Sequence, residues 1–366
     1  MATDELFVDL AGLDRLYNQL VRASEDGTEA LAYVAKNCKL NWPEQGLLFV
    51  ALQTQSTMYQ QVDTSFGQVR DLCSQAGTEV NRSQVIYKNT DHDSAAQLDK
   101  VCTGIADLDG LRQALSHTRA DLDSHREAFA DVTEPSRSLT SPEYAVAVEM
   151  WTINPLADLL SPSAWIRQAC VTLLGVDPFE EWSKNLSGNW QAYVYAGNAM
   201  LHAGAAARAI ALNLTTGAKD VGYAWRGNAA EVFQEFELNL GIHVSDLQEI
   251  CRLYYKIHMD TAEVVKKLTD VLAGHVADFY DVLLMASGCL AAGTAMIETV
   301  FGAVAGYAAA SYYSWMAWDI YQIISDLFGN AEDAIKLISS AVQTADVFRS
   351  VKTLGDVKPF HNPALR

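Results

Sequence analysis

A seven-residue apolar repeat between residues 52 and 87 constrains the fold of this chain more than any other feature. The positions that recur at intervals of seven are Leu52, Tyr59, Phe66, Cys73, Val80 and Tyr87. Apolar residues also occupy positions between them, a pattern typical of a helix with a coiled-coil seam. Such a seam needs a partner, and an apolar stripe that follows Asp9, a predicted N-cap, supplies one. We therefore predict an antiparallel helical hairpin over residues 8–90.

The composition extends this expectation to the whole chain. Half of the 366 residues are hydrophobic, they recur mostly at intervals of three and four, and only 8 residues are proline. These properties predict an all-α protein. The net charge of −19 argues against nucleic acid as a partner, because a phosphate-binding surface needs clustered Lys and Arg. It also argues against simple electrostatic binding to an anionic membrane.

The tripeptide Trp225-Arg226-Gly227 separates two further helical patterns. The pattern before it begins near residue 190, and the pattern after it continues to about residue 284. A Trp followed two residues later by Gly is common by chance, but here it lies at the bend of a predicted hairpin. Two hairpins that each expose an apolar seam are expected to pack as an elongated four-helix bundle.

A second motif, Tyr87-Lys-Asn-Thr-Asp91, ends the heptad helix. Tyr87 and Asp91 are four residues apart, so both are predicted to project from one helical face. Taken alone, the motif has a simpler explanation, in which Tyr87 ends the core stripe and Asp91 is a solvated charge. The combination of this motif with W-x-G is the feature that points to a family.

The chain resembles the WXG-superfamily substrates of the actinobacterial type VII (ESX) secretion system. Residues 8–98 are similar to EspC-like secretion-associated hairpins, and residues 160–285 are similar to the WXG modules of secreted proteins and polymorphic toxins. The sequence departs from the family at the bend of the first hairpin, where Trp42-Pro43-Glu44 stands in place of W-x-G. The first hairpin would therefore contribute only the Tyr87 and Asp91 half of a signal.

The resemblance implies export. Trp225 and Gly227 would form a composite secretion signal with Tyr87 and Asp91, and we predict that Trp225 approaches Tyr87 in the folded protein. A type VII secretion ATPase would read this signal. Further candidate partners are a dedicated chaperone, a second helical hairpin and another copy of the chain. The protein would fold in the cytoplasm and then be secreted or displayed at the cell surface, and its acidic N-terminus does not resemble a Sec signal peptide.

No motif in the sequence points to an enzyme, a cofactor or a metal site. The sequence has no H-E-x-x-H, no G-x-S-x-G and no phosphate-binding loop. Its six cysteines have no C-x-x-C pair and no zinc-ligand spacing. The scattered cysteines indicate folding in a reducing compartment, although pairing between distant cysteines stays open.

One long apolar segment allows two interpretations. Between residues 282 and 318 the only charged residue is Glu298. In one interpretation this segment is an Ala- and Gly-rich helical hairpin that is buried against the bundle or self-associates. In the other, residues 299–318 span a membrane, with a G-x-x-x-G for close helix contact and aromatic residues at the interface. The residues named for that role are Gly302, Gly306, Trp315 and Trp318.

These observations divide the chain into five predicted parts. They are an EspC-like hairpin with a third helix (1–132), a linker (133–160), a WXG hairpin (161–285), an apolar helical region (286–350) and a flexible tail (351–366). The third helix is predicted from Leu98 to Leu122, and Asp107-Leu-Asp-Gly110 is a candidate break in it. Two further functions stay open: a membrane-inserting or pore-forming effector that uses residues 282–318, and the trafficking module of a polymorphic toxin whose toxin domain is absent here.

Overall fold

The computed structural model describes residues 6–40, 46–102, 104–117, 126–142, 160–295, 300–344, 354–355 and 357–363. The described helices are α1 (Leu10–Asn37), α2 (Leu47–Asn89), α3 (His92–Val101), α4 (Leu108–His117), α5 (Ala164–Leu174), α6 (Pro178–Leu186), α7 (Trp190–Ala224), α8 (Asn228–Ala295) and α9 (Val300–Thr344). A 3-10 turn covers Pro135–Ser138, and two-residue strands cover Phe7–Val8 (β1) and Trp225–Arg226 (β2). The prediction of an all-α protein is confirmed.

The predicted first hairpin is present as α1 and α2. Asp9 caps α1, since its carboxylate accepts a hydrogen bond from the backbone N–H of Ala11 at 3.1 Å. The heptad positions of α2 face α1 and the rest of the core: Leu52, Phe66 and Val80 are buried, and Tyr59 is half-buried. The predicted bend at residues 41–45 lies outside the described residues.

Small residues let the second hairpin pack closely. Helix α7 is rich in Ala and Gly, and α8 lies along it. A Cβ atom added to Gly204 would come within 2.7 Å of the Cβ atom of Cys251, and one added to Gly197 would come within 2.6 Å of that of His258. The first hairpin joins the second through contacts of α1 with α7 and of α2 with α8.

Helix α8 is much longer than its partners. It has 68 residues, so it extends about 100 Å. Helix α9 packs along the second part of α8, which confirms the predicted apolar helical hairpin. The predicted border between residues 285 and 286 falls inside α8, and the connection over residues 296–299 lies outside the described residues.

Two segments connect the hairpins. The predicted third helix is broken before Gly110, as the run Asp107-Leu-Asp-Gly110 indicated, into α3 and α4: Cys102 ends α3, and the carboxylate of Asp107 accepts a hydrogen bond from the N–H of Gly110 at the start of α4. The described part of the predicted linker, residues 133–142, is tied to α7. Thr133 donates its backbone N–H to the side-chain oxygen of Asn213, and the Asn213 amide donates to the Thr133 carbonyl at 2.9 Å.

The predicted flexible tail is wrong for residues 354–355 and 357–363. Phe360 is buried against two aromatic rings of α8, with centroid distances of 5.0 Å to Phe233 and 6.0 Å to Phe236. Asn362 is also buried, and its amide donates to the hydroxyl of Ser83 at 2.8 Å. An aromatic anchor and a buried polar contact therefore hold the tail on the bundle.

Candidate functional site

The W-x-G motif forms the bend between α7 and α8. Helix α7 ends at Ala224, and Trp225 adopts an extended backbone while its N–H still donates to the carbonyl of Val221. Strand β1 pairs antiparallel with β2, so that Val8 lies opposite Trp225. The N–H of Asp9 donates to the carbonyl of Ala224 at 2.7 Å. The start of the chain is thus paired with the bend.

The Trp225 side chain is buried where the two hairpins meet. It is 0% exposed, and its ring lies edge-on to Tyr87 with a centroid distance of 6.0 Å and an interplanar angle of 68°. A second ring, that of Phe233, lies 6.1 Å away on α8. The predicted approach of Trp225 to Tyr87 is confirmed. Burial raises the pKa of the Tyr87 phenol to about 12, so it stays neutral at physiological pH.

Gly227 is required by both its backbone conformation and its surroundings. Its φ of +130° lies in a region that residues with a side chain rarely adopt. A Cβ atom at this position would come within 2.6 Å of a carboxylate oxygen of Asp99. The third position of the motif therefore accommodates the close approach of an acidic side chain from α3.

Asp99 caps the first turn of α8, and the sequence analysis did not identify it. Its two carboxylate oxygens accept the backbone N–H groups of Asn228 at 2.9 Å and of Ala229 at 3.0 Å. The Asn228 amide donates back to the Asp99 carbonyl at 3.1 Å. These bonds satisfy donors that a helix leaves unpaired at its N-terminus, and a negative charge there also interacts favourably with the helix dipole.

The predicted placement of Asp91 is wrong. Helix α2 ends at Asn89, and Thr90 is extended, so Asp91 does not share a helical face with Tyr87. Instead Asp91 is the N-cap of α3, where its carboxylate accepts the backbone N–H of Ser94 at 2.9 Å and the hydroxyl of Ser94 at 2.7 Å. These hydrogen bonds lower the pKa of the Asp91 carboxyl, which remains exposed to solvent as a charge.

Exposed side chains surround this buried centre. The guanidinium of Arg226 lies 5.1 Å from the ring centroid of Phe7, a cation–π contact. Tyr223 is 70% exposed, and Val85, two residues before Tyr87, is also exposed. A groove of about 280 Å³ opens beside Tyr87, between β1, the end of α2 and α3. We call these exposed residues, together with Asp91, the W-x-G rim.

Among the described residues, no group of three or more His, Cys, Asp or Glu side chains is placed to hold a metal ion. The six cysteines are free thiols, five of them buried, and burial raises the pKa of Cys102 to about 11. His258 is fully buried, and burial lowers its pKa to about 4. Such thiols stay protonated and such an imidazole stays neutral near pH 7, and neither lies in the groove at the bend.

The four residues named for a membrane role all lie in α9. Gly306 faces Gly293 of α8, since an added Cβ atom would come within 2.5 Å of the Gly293 Cα atom. Trp315 is 62% exposed and Trp318 is 41% exposed. Gly302 lies in the first turn of α9. Among the described helices, one, α8, contains an 18-residue window apolar enough to cross a membrane, with mean hydropathy 1.4 and 33% of the window buried.

No family model, no curated protein and no solved structure matches this chain. The function is therefore inferred from the geometry around the W-x-G bend.

Proposed function

We propose that this chain is a substrate of a type VII secretion system that is exported as a folded helical protein. The observation that carries the proposal is the packing of Trp225 against Tyr87. The two halves of the composite motif belong to different hairpins, and they come together only when the hairpins pack on each other. A protein that binds this assembled end would therefore distinguish folded chains from unfolded ones.

The part of the motif that a partner would touch is not the tryptophan. Trp225 has no exposed surface, so its side chain holds the bend in place. The accessible groups are those of the W-x-G rim, which include the charge of Asp91 and the guanidinium of Arg226, and the groove beside Tyr87. We propose that a type VII secretion ATPase, with a dedicated chaperone as a second candidate, recognises this rim.

An export assay can separate recognition from folding at Asp91. Asn is as good an N-cap as Asp, so Asp91→Asn removes the charge while keeping the cap of α3. We expect this variant to have the same free energy of unfolding as the wild type. Its export should be at least about tenfold lower, a factor equivalent to about 1.4 kcal/mol of lost recognition. The matched control is Asp93→Asn, which removes an exposed charge two residues away and should leave export unchanged.

Variants of the buried pair complete the test. Trp225→Ala and Tyr87→Ala should reduce export because the bend loses its support. Asp99→Ala should act in the same direction, since the first turn of α8 loses its cap. If Trp225→Ala and Tyr87→Ala fold normally and are exported like the wild type, the composite signal is not located here. Normal export of Asp91→Asn would assign recognition to the remaining residues of the rim.

A further inference from the structure

The end of the molecule opposite the W-x-G bend is a pair of helical stretches that are themselves uncharged, with Glu298 between them in the sequence. We define the distal arm as residues 282–295 of α8 and 304–318 of α9. These two stretches contain no Asp, Glu, Lys, Arg or His. In water, an arm of this composition would normally be covered by further elements of the chain, because large exposed apolar patches are rare on soluble domains.

The side chains of the distal arm point mostly away from the protein. The buried positions are Leu283, Ala286, Gly293, Ala310 and Ala317, which form the seam between the two helices. Large apolar side chains on both helices lie outside this seam. They include Met285 at 53% exposed, Val304 at 63% and Trp315 at 62%. The apolar surface therefore belongs to both helices of the arm and extends beyond the one strip that a single partner helix would cover.

The arm is about two thirds as long as the hydrocarbon core of a bilayer is thick, so it is long enough to enter the core. The 14 residues 282–295 extend about 21 Å, and the uncharged part of α9 extends a few ångströms further, compared with about 30 Å for the hydrocarbon core. Gly293 lies opposite Gly306, and this antiparallel register places Asp281 and Asp319 at nearly the same level. Charged residues therefore begin on both helices at one height, as at a boundary between lipid and water.

The Ser and Thr hydroxyls of the arm are already satisfied. The hydroxyls of the four described Ser and Thr residues donate to backbone carbonyls of their own helix, at 2.7–2.9 Å. These residues are Ser287, Thr294, Ser311 and Ser314. Internal bonding of this kind is what a lipid environment demands, since lipid tails offer no hydrogen-bond partner.

Close packing of small residues also suits association in lipid. The backbones of Gly293 and Gly306 approach each other so closely that a Cβ atom at position 306 would overlap the facing helix. This contact depends on shape, and shape is what holds helices together where the hydrophobic effect is missing. Trp315 and Trp318 lie near the base of the arm, just before Asp319, where an interfacial aromatic belt is expected.

We propose that the distal arm inserts into a lipid bilayer as a helical hairpin, with Asp281 and Asp319 at the level of the headgroups. The net charge of −19 selects a zwitterionic surface over an anionic one, because the acidic chain is repelled by anionic lipid. This step is independent of the export signal, which lies at the other end of the bundle. It concerns the activity of the protein after its release.

The test is flotation of the full-length protein with phosphatidylcholine vesicles. The arm variant is Val304→Lys together with Trp315→Lys, both at exposed positions, so the fold should be retained. The arm variant should bind vesicles at least about tenfold more weakly, because Val304→Lys places a charge in the hydrocarbon core and Trp315→Lys removes an interfacial aromatic side chain. The matched control is Val85→Lys together with Tyr223→Lys, which adds the same charges at exposed apolar positions of the W-x-G end and should float like the wild type.

Circular dichroism establishes that each variant has the helix content of the wild type, and light scattering measures its mass. Flotation of the wild type and the control, with loss in the arm variant, supports insertion. A wild type that stays out of the lipid fraction overturns the proposal, as does equal flotation of all three proteins. A wild-type dimer that ignores vesicles and becomes a monomer in the arm variant would overturn it too, and would identify a second copy of the chain as the partner of the arm.

Discussion

The two halves of α8 belong to one continuous helix but have different surroundings. In the first half, Phe236, Glu237 and Leu238 are buried one after another, which means that more than one face is covered. In the second half, burial recurs every three or four residues, as at Val276, Phe279 and Leu283, so one face is covered. The first half contacts α7, α2, α3 and α4, whereas the second half lies mainly against α9 and, at Phe279, against the rings of Phe179 and Trp182 in α6. The number of neighbours, set by the path of the chain, decides burial more than local hydrophobicity does.

The largest expected effect comes from comparing a tryptophan at each end. Trp225→Ala removes a fully buried side chain from between Tyr87 and Phe233, so the free energy of unfolding should fall by about 3–5 kcal/mol. Trp315→Ala removes a largely exposed side chain and should change it by less than about 0.5 kcal/mol in the absence of lipid. Equilibrium urea unfolding, followed by circular dichroism, measures both. Equal losses would mean that the two ends do not differ in burial.

The comparison also shows which parts of the structure can be predicted from local sequence. The heptad repeat predicted α2 and its buried face because the apolar period is a property of the helix itself. The bend at W-x-G was predicted for a similar reason, since two helical patterns meet there. Even the contact of Trp225 with Tyr87 was predictable, because it follows from packing two hairpins side by side with both motifs at the same end.

Contacts that join distant segments were missed. Asp91 was expected on the face of Tyr87, but the run Asp91-His-Asp-Ser94 starts a new helix, and capping took precedence over periodicity. Asp99 gave no signal, because its partners are the backbone N–H groups of Asn228 and Ala229 in the other hairpin. Phe360 was assigned to a flexible tail because a single aromatic residue has no period. Its binding site is formed by rings of α8.

A second prediction concerns Glu237, which the covered half of α8 buries completely. Neither of its carboxylate oxygens has a hydrogen-bond partner among the described residues. Burial raises the pKa of this carboxyl well above its usual value, and the nearby Asp220 adds to the effect. The folded state therefore favours the protonated form. The stability associated with it is fully present below the unfolded pKa and is lost as the pH rises through the folded pKa.

Replacing this carboxyl should stabilise the bundle. Glu237→Leu fills a similar volume without a charge to desolvate, so near pH 8 the free energy of unfolding should rise by about 2 kcal/mol. The gain should shrink as the pH falls towards the ordinary pKa of Glu. Urea unfolding at several pH values measures the slope, and Glu235→Leu, at an exposed site in the same turn, is the control. A gain independent of pH would show that the carboxyl is not protonated in the folded protein.

The smallest expected effects are in the distal arm, where two glycine substitutions should change the local stability in opposite directions. Gly306→Ala places a methyl group against the backbone of Gly293, so the distal arm should lose about 1 kcal/mol of local stability. Gly288→Ala, in the same arm, meets nothing within 4 Å and should gain about 0.5–1 kcal/mol, because Ala is the better helix former.

Hydrogen exchange of amides in the arm measures both changes without requiring global unfolding. Because α9 is the main neighbour of the second half of α8, loss of the one contact should raise exchange along the whole arm and leave α7 unaffected. Two variants with equal exchange would show that the Gly293–Gly306 contact does not hold the arm together.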